Sequence, residues 1–445
     1  MAERIAIVGA GLAGSLMACY LGRDGYDVTV YEKLPDPRFG GFTGGRSINL
    51  ALSERGLHAL RQVGLADEVL KRVIPMPGRM IHARDGSLAY QAYSDNPNDR
   101  INSVSRGELS LLLINAASRY PNVKFNFDHR CTNIDFKKPA ITFLATRSNK
   151  LVTAETDLII GADGAFSAVR LQMMLNMDRF EYRQDYLEYG YKELMIPPAA
   201  GGGFAMQQNA LHIWPRGGSM MIALPNLDGS FTCTCFWPFT GPHGFESLKT
   251  DDQIRAYFNE HFPDAVPLMP TLVDDYKRNP TSSLVTIHCW PWHHGGKAAL
   301  IGDAAHAIVP FYGQGMNCAF EDCSALAAMI RTAHSGTPSW PRTFEAFASE
   351  RKPNTDAIAE MALHNFIEMR DKTASALFRM KKKIEHALHH VFPKWFMPLY
   401  NMISFSTIPY AQAQRRARAQ ANALRAIVFA FLVLLAIAVG LLIFA

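Results

Sequence analysis

Apolar and polar positions change rhythm several times along this chain of 445 residues. Ile5 to Val8 is a continuous apolar run with the length of a buried strand. Gly9, Ala10, Gly11, Leu12, Ala13 and Gly14 follow, then a helical stretch to about Gly22. A second run, Val28 to Tyr31, ends in Glu32. This succession predicts a β-α-β unit. Pro, Gly and Arg dominate from Pro35 to Arg46 and predict a long loop. Ser53 to Val63 and Glu108 to Arg119 have helical spacing, with Leu109, Leu112 and Leu113 on one face of the second. Arg79 to Tyr93 alternates as paired strands do.

From Tyr191 to Trp237 the rhythm shortens. Leu211 to Trp214, Met220 to Leu224 and Phe231 to Phe236 are separated by Gly, Pro and Asn226-Leu-Asp-Gly229, which predicts an antiparallel sheet. Ala298 to Ile301 reads as another buried strand, and Met316 to Thr332 and Arg342 to Met369 as helices. Helical character continues beyond them, broken near Pro393, Pro398 and Pro409. Ala426 to Ala445 holds no charged residue and, at about 1.5 Å per residue, matches one bilayer core of about 30 Å. Arg415, Arg416, Arg418 and Arg425 precede it, so the positive-inside tendency predicts a membrane helix with the rest of the chain on the cytoplasmic side. The basic stretch Ala411 to Leu424 either lies on the lipid surface or leads into the span.

Composition narrows the classes. Hydrophobic residues make up 48% and charged residues 19%, as in a globular enzyme. A net charge of +5 with one late basic cluster argues against a nucleic-acid binder. Seven scattered cysteines without a C-x-x-C pair suggest reduced, buried thiols rather than disulfides or a metal site.

Gly9, Gly11 and Gly14 form G-x-G-x-x-G between strand and helix. The first permits a tight turn, the second lets backbone approach a pyrophosphate, and the third lets helix and strand pack closely. Glu32 sits where a carboxylate accepts ribose hydroxyls. That motif alone does not choose between FAD and NAD. Two more strand-turn-helix motifs follow: Leu158 to Arg170, with Asp163 and Gly164, and Leu300 to Asn317, with Asp303, Gly313, Gly315 and Met316. In order and spacing the three resemble the signature of class A flavoprotein hydroxylases. The likeness implies FAD, bound non-covalently. It implies an Asp303 contact to the cofactor's ribose or ribityl chain, a loop from Gly313 to Asn317 beside the isoalloxazine, and an Asp163 serving flavin and nicotinamide alike. Arg46 and Arg106, with Leu12 and Ala13, complete the implied cofactor set.

A narrower likeness, to the kynurenine 3-monooxygenases, rests on Gly45 to Gly56, Gly78 to His82, Tyr191 to Leu194, Ala210 to Pro215 and Ala223 to Asp228. It runs from the N-terminus to about Gln414. It implies a substrate's amino-acid end held by Arg79, Tyr93, Asn365 and Tyr400. The implied reaction is L-kynurenine, NADPH and O2 to 3-hydroxykynurenine through a flavin 4a-hydroperoxide, in tryptophan catabolism. No acid–base residue is implied, and His306 reads as structural. Tyr312 stands where relatives carry His or Phe, and is left outside the site. The implied layout is an FAD-binding α/β part (1–75, 101–180, 290–360), a β-sheet substrate part (76–100, 181–289), a helical region (361–425) and a transmembrane helix (426–445). The implied membrane is the mitochondrial outer membrane in a eukaryote or the inner membrane in a bacterium. Rival readings are a hydroxylase of another aromatic acid, a flavin halogenase suggested by Trp290-Pro-Trp292, and a membrane-anchored FAD protein without turnover.

Overall fold

A computed structural model describes residues 3–40, 49–334, 339–372, 376–393 and 395–444. Its nucleotide-type sheet has six strands in the order His293–His294, Ala298–Leu300, Leu158–Gly161, Arg4–Val8, Asp27–Tyr31, Val123–Asn126. All neighbours pair in parallel except the first two strands. The parallel strands are continuous apolar runs because helices cover them: Leu12–Arg23 packs against both Arg106–Ala117 and Gly315–His334. Leu109, Leu112 and Leu113 are all buried, as their spacing predicts.

The three motif strands are neighbours in this sheet, Leu158–Gly161 lying between Arg4–Val8 and Ala298–Leu300. Segments about 150 residues apart in sequence therefore end at one edge, where open α/β sheets bind ligands.

A seven-stranded sheet stands beside it, ordered Ser282–Trp290, Glu181–Ile196, Phe231–Pro238, Met220–Pro225, Leu211–Pro215, Gly78–His82, Leu88–Ala92. The expected antiparallel pattern holds with one exception: Leu211–Pro215 runs parallel to Gly78–His82. A long-range crossover makes that pair, and no local alternation could reveal it. The loop expected from Pro35 contains a short helix, Pro37–Gly40; residues 41–48 lie outside the described ones.

Helix Trp340–Ile367 passes into a π-helical turn, Glu368–Lys372, then come Ala376–Val391, Leu399–Ser404 and one continuous helix, Tyr410–Phe444. The breaks on either side of Leu399–Ser404 fall at the expected prolines, Pro393, Pro398 and Pro409. Arg55, on helix Glu54–Gln62, fastens this end to the nucleotide-type part of the molecule. It is fully buried and donates to the carbonyls of Met402, Ile403 and Ile408 and to Glu321. Its guanidinium lies 3.9 Å over the Tyr410 ring. Tyr410 in turn donates to Gln314, between Gly313 and Gly315.

Candidate active site

Gly9 has φ +105°, and a Cβ there would stand 2.5 Å from the Ala162 carbonyl. At Gly14 a Cβ would stand 1.9 Å from the Gly9 carbonyl. Both glycines are thus required by protein atoms. Gly11 differs: a Cβ there meets nothing within 4 Å. It caps helix Leu12–Arg23 with no side-chain acceptor and no acid in the first turn. Free N–H groups consequently face open space, an arrangement that receives an anion. That space is a cleft of about 800 Å³ lined by Gly9, Gly11, Leu12, Glu32, Arg106 and Asp163 among others. These features fit a dinucleotide with a pyrophosphate at Gly11.

The acidic groups Glu32 and Asp163 already do local work. Glu32 accepts from Ala10 N at 2.9 Å and Leu34 N at 3.0 Å, shaping the turn. Asp163 accepts from Ser167 Oγ, Ala168 N and Val169 N, capping the helix that follows. Burial nevertheless raises its pKa, outweighing those bonds. Arg106 opens helix Arg106–Ala117 and is exposed to the cleft.

Arg106 also links the cleft to the third motif, because its charge acts on both Glu193 and Asp303. Burial pushes the Glu193 carboxyl up to about 7, with Arg106 pulling the other way. Asp303 is reachable by solvent but otherwise deep in protein, and burial raises its pKa too. Gly302 sets it against the first helix: a Cβ there would stand 3.4 Å from Ala13 Cβ. Asp322 holds Gly302 through its N–H at 2.9 Å, and binds His306 and Arg351. His306 thus sits in a buried hydrogen-bonded network with Asp322 and, through it, Arg351. His306, Cys318 and Asp322 cluster as metal ligands could, but Arg351 donates to both Cys318 and Asp322 and opposes a cation there.

Asn317 donates to Ala51 and Gly313 carbonyls and accepts from Ser53 N, so its side chain has no free edge for a ligand. Gly313 has φ +65° beside Ala51, and Gly315 and Met316 start helix Gly315–His334. Arg46 lies outside the described residues. Trp292 is fully buried and donates to Cys289 O, so the Trp290-Pro-Trp292 segment braces the core.

Across the Pro310–Tyr312 turn lies a second group. Arg79 comes from Gly78–His82, the strand next to the edge of the seven-stranded sheet, and sits 5.5 Å from the Tyr93 ring centroid and 5.9 Å from that of Tyr400. The two tyrosines stack at 4.8 Å. Burial raises both phenol pKa values, with Arg79 opposing. Arg79 Nε is buried without a hydrogen-bond partner, and among the described residues no carboxylate pairs with its guanidinium. Asn365 reaches the group indirectly: its amide donates to Phe311 O at 2.7 Å and holds the turn. Tyr312, outside the expected set, stacks on Tyr400 at 5.9 Å and feels the charges of Arg79 and Glu368. Glu368 follows Asn365 by three residues, one helical turn, which was the only signal for it.

Behind Arg79 its strand is held by a buried relay. His82 bonds Asp264 at 2.6 Å and His212 at 2.9 Å, and His212 meets Gln207 O at 2.8 Å. The carbonyl requires a proton on His212 Nε2, so its Nδ1 accepts from His82.

Three adjacent strand-turn-helix motifs around an anion-receiving cleft, with a β-sheet behind it, define an FAD-binding oxidoreductase of the flavin hydroxylase fold. Residues 3–362 match the family described as FAD binding domain. Solved structures share the fold. A 2-methyl-3-hydroxypyridine-5-carboxylic acid oxygenase aligns with TM-score 0.67 at 21% identity, over 84% of this chain and 94% of that one. Pseudomonas aeruginosa PqsL aligns with TM-score 0.68 at 20% identity, over 85% and 100%. Closer in sequence are kynurenine 3-monooxygenases of Dictyostelium discoideum, 50% identical over 92% of this chain and 90% of that one, and of Myxococcus xanthus, 47% identical over 92% and 88%. The chain belongs to the kynurenine 3-monooxygenase family and is an FAD-dependent monooxygenase.

Proposed function

We propose that this enzyme hydroxylates L-kynurenine to 3-hydroxykynurenine with NADPH and O2, as a step of tryptophan catabolism. The observation that carries the substrate is Arg79, a partly buried cation beside the stacked Tyr93 and Tyr400 rings and without a counter-charge among the described residues. A carboxylate entering there gains charge-assisted hydrogen bonds and removes an unpaired charge. Tyr93 and Tyr400 flank it, and Asn365 fixes the turn that separates it from the cofactor.

In this reading Gly11 and the helix behind it receive the pyrophosphate, Glu32 and Arg106 orient the adenosine and phosphate portions, and Asp303 meets the polar chain of the cofactor. Bound FAD supplies the redox chemistry, accepting electrons from NADPH and activating dioxygen. The protein supplies placement and exclusion of water. The aromatic ring, already activated ortho to its amine, needs no protein nucleophile. The six-stranded sheet serves the cofactor and the seven-stranded sheet the substrate.

Membrane anchoring belongs to the same proposal. Among the described residues, one helix is long and apolar enough to cross a bilayer, with mean hydropathy 2.4 over its most apolar window and none of that window buried. The catalytic part then lies on the cytoplasmic side, beside Arg415 and Arg425.

The test is NADPH consumption by the FAD-loaded protein with and without L-kynurenine, with the product identified by mass. Strong stimulation and a product one oxygen heavier support the reading. Stimulation that yields only peroxide reopens the substrate question, and a panel of other aromatic acids then separates the rivals.

A further inference from the structure

Helix Ala376–Val391 is amphipathic, yet its apolar stripe faces outward. Met380, Ile384, Ala387 and Val391 recur at helical spacing, and all four are exposed: Met380 59%, Ile384 54% and Val391 63%. His389, on the opposite side, turns inward and bonds Phe396 O at 2.7 Å. Phe392 and Trp395 extend the apolar surface, at 53% and 47% exposure. A soluble surface would carry the reverse pattern.

Position says what covers this face. Gln420, on the terminal helix, donates to Trp395 O at 2.9 Å. The uncharged stretch begins at Ala426, six residues later, which is about 9 Å along a helix. Trp395 therefore sits near the level at which that helix would enter lipid, where tryptophan is enriched. The surroundings are cationic, with Arg415 and Arg425 exposed on the terminal helix.

We propose that the face formed by Met380, Ile384, Ala387, Val391, Phe392 and Trp395 is a second lipid contact, lying flat on an anionic bilayer surface beside the terminal helix. This rests on the reading of that helix as a membrane span. Its consequence is orientational. A single span leaves the enzyme free to swivel, whereas a span and an adjoining surface helix fix one side of the molecule against the headgroups.

All seven native cysteines are buried, so one introduced cysteine can be labelled selectively. Full-length protein carrying Ile384→Cys, Val391→Cys, Leu434→Cys or Leu151→Cys is labelled with an environment-sensitive fluorophore. Each is placed in nanodiscs of phosphatidylcholine and phosphatidylserine, with nitroxide-bearing lipids as quenchers. Flavin absorbance confirms folding of each variant. The expected result is severalfold stronger quenching at positions 384 and 391 than at 151, by nitroxides near the headgroups, and quenching at 434 by nitroxides deep in the bilayer. Deep quenching at 434 with none at 384 and 391 leaves the span standing and overturns the surface contact. No quenching at 434 removes the span and this proposal with it. A blue shift at 384 without lipid quenching shows a protein covering the face, and also overturns the proposal.

Discussion

Replacing Arg79 with alanine isolates the assigned role of this site. The guanidinium has a buried Nε without a partner and stands beside the stacked rings of Tyr93 and Tyr400. Removing it leaves a bound carboxylate beside tyrosines alone. Breaking a buried charge pair costs about 3–5 kcal/mol. Arg79 is only partly buried, which puts the loss at the lower end, about 3 kcal/mol, or roughly a hundredfold in substrate affinity at about 1.4 kcal/mol per tenfold. The Gly11 cleft does not include Arg79, so FAD affinity should change by less than about threefold. Arg79→Lys keeps the charge but loses the planar fork, and should fall between the two. L-kynurenine affinity is measured by flavin fluorescence without NADPH, and FAD affinity by titrating apoprotein. Equal losses of both affinities, or a substrate loss below about fivefold, would refute the role.

Gly11→Ala and Gly14→Ala should separate cofactor space from packing. The first should leave the cofactor-free protein within about 1 kcal/mol of wild type while sharply weakening FAD, and the second should unfold it at lower temperature, by about 3 kcal/mol or more, because its Cβ meets backbone. Equal thermal midpoints for the two would contradict this. Glu193→Gln should stabilise the cofactor-free protein at pH 8 and not at pH 4. The unfolded carboxyl ionises near 4.5 and the folded one near 7, so wild-type stability falls with rising pH between them, by roughly 3 kcal/mol at about 1.36 kcal/mol per unit. A pH-independent difference in thermal midpoint would exclude that cause. Asp264→Asn should act in the opposite sense. Burial opposes its ionisation, but bonds from His82 and Trp214 hold the carboxyl below its usual range, so its stabilisation is present above about pH 4 and fades on acidification. Acid unfolding curves of wild type and variant should converge at low pH; parallel curves would count against the relay.

Much of the cofactor cleft was legible because its signals are local. Each motif is a strand, a turn and a helix start within about a dozen residues, and glycine spacing states which backbone atoms must come close. Arg79, Tyr93, Asn365 and Tyr400 were not legible in that way. They lie up to 321 residues apart in number (400 − 79), on different elements, and family likeness alone grouped them. Asn365 illustrates the limit of the likeness, since the residue fits while its amide is engaged with the Phe311 carbonyl. Tyr312 was set aside for departing from relatives, yet packs on Tyr400. The outward stripe of helix Ala376–Val391 was also hidden: periodicity shows that a helix has an apolar side, not which way that side turns.

The Arg55 clamp reaches beyond stability. Its carbonyl partners lie about 350 positions further along the chain, and Tyr410, which it covers, steadies the Gly313–Gly315 loop through Gln314. Contacts at such separation carry a large loop-closure cost and form late. During synthesis the first motif can emerge and build its β-α-β unit while Arg55 still has nothing to grip. The Gly313–Gly315 loop consequently stays unbraced until residues beyond 400 have appeared. A nascent chain of this enzyme should therefore capture its cofactor tightly only once residues beyond 400 have been made, however early the glycines that first receive it appeared.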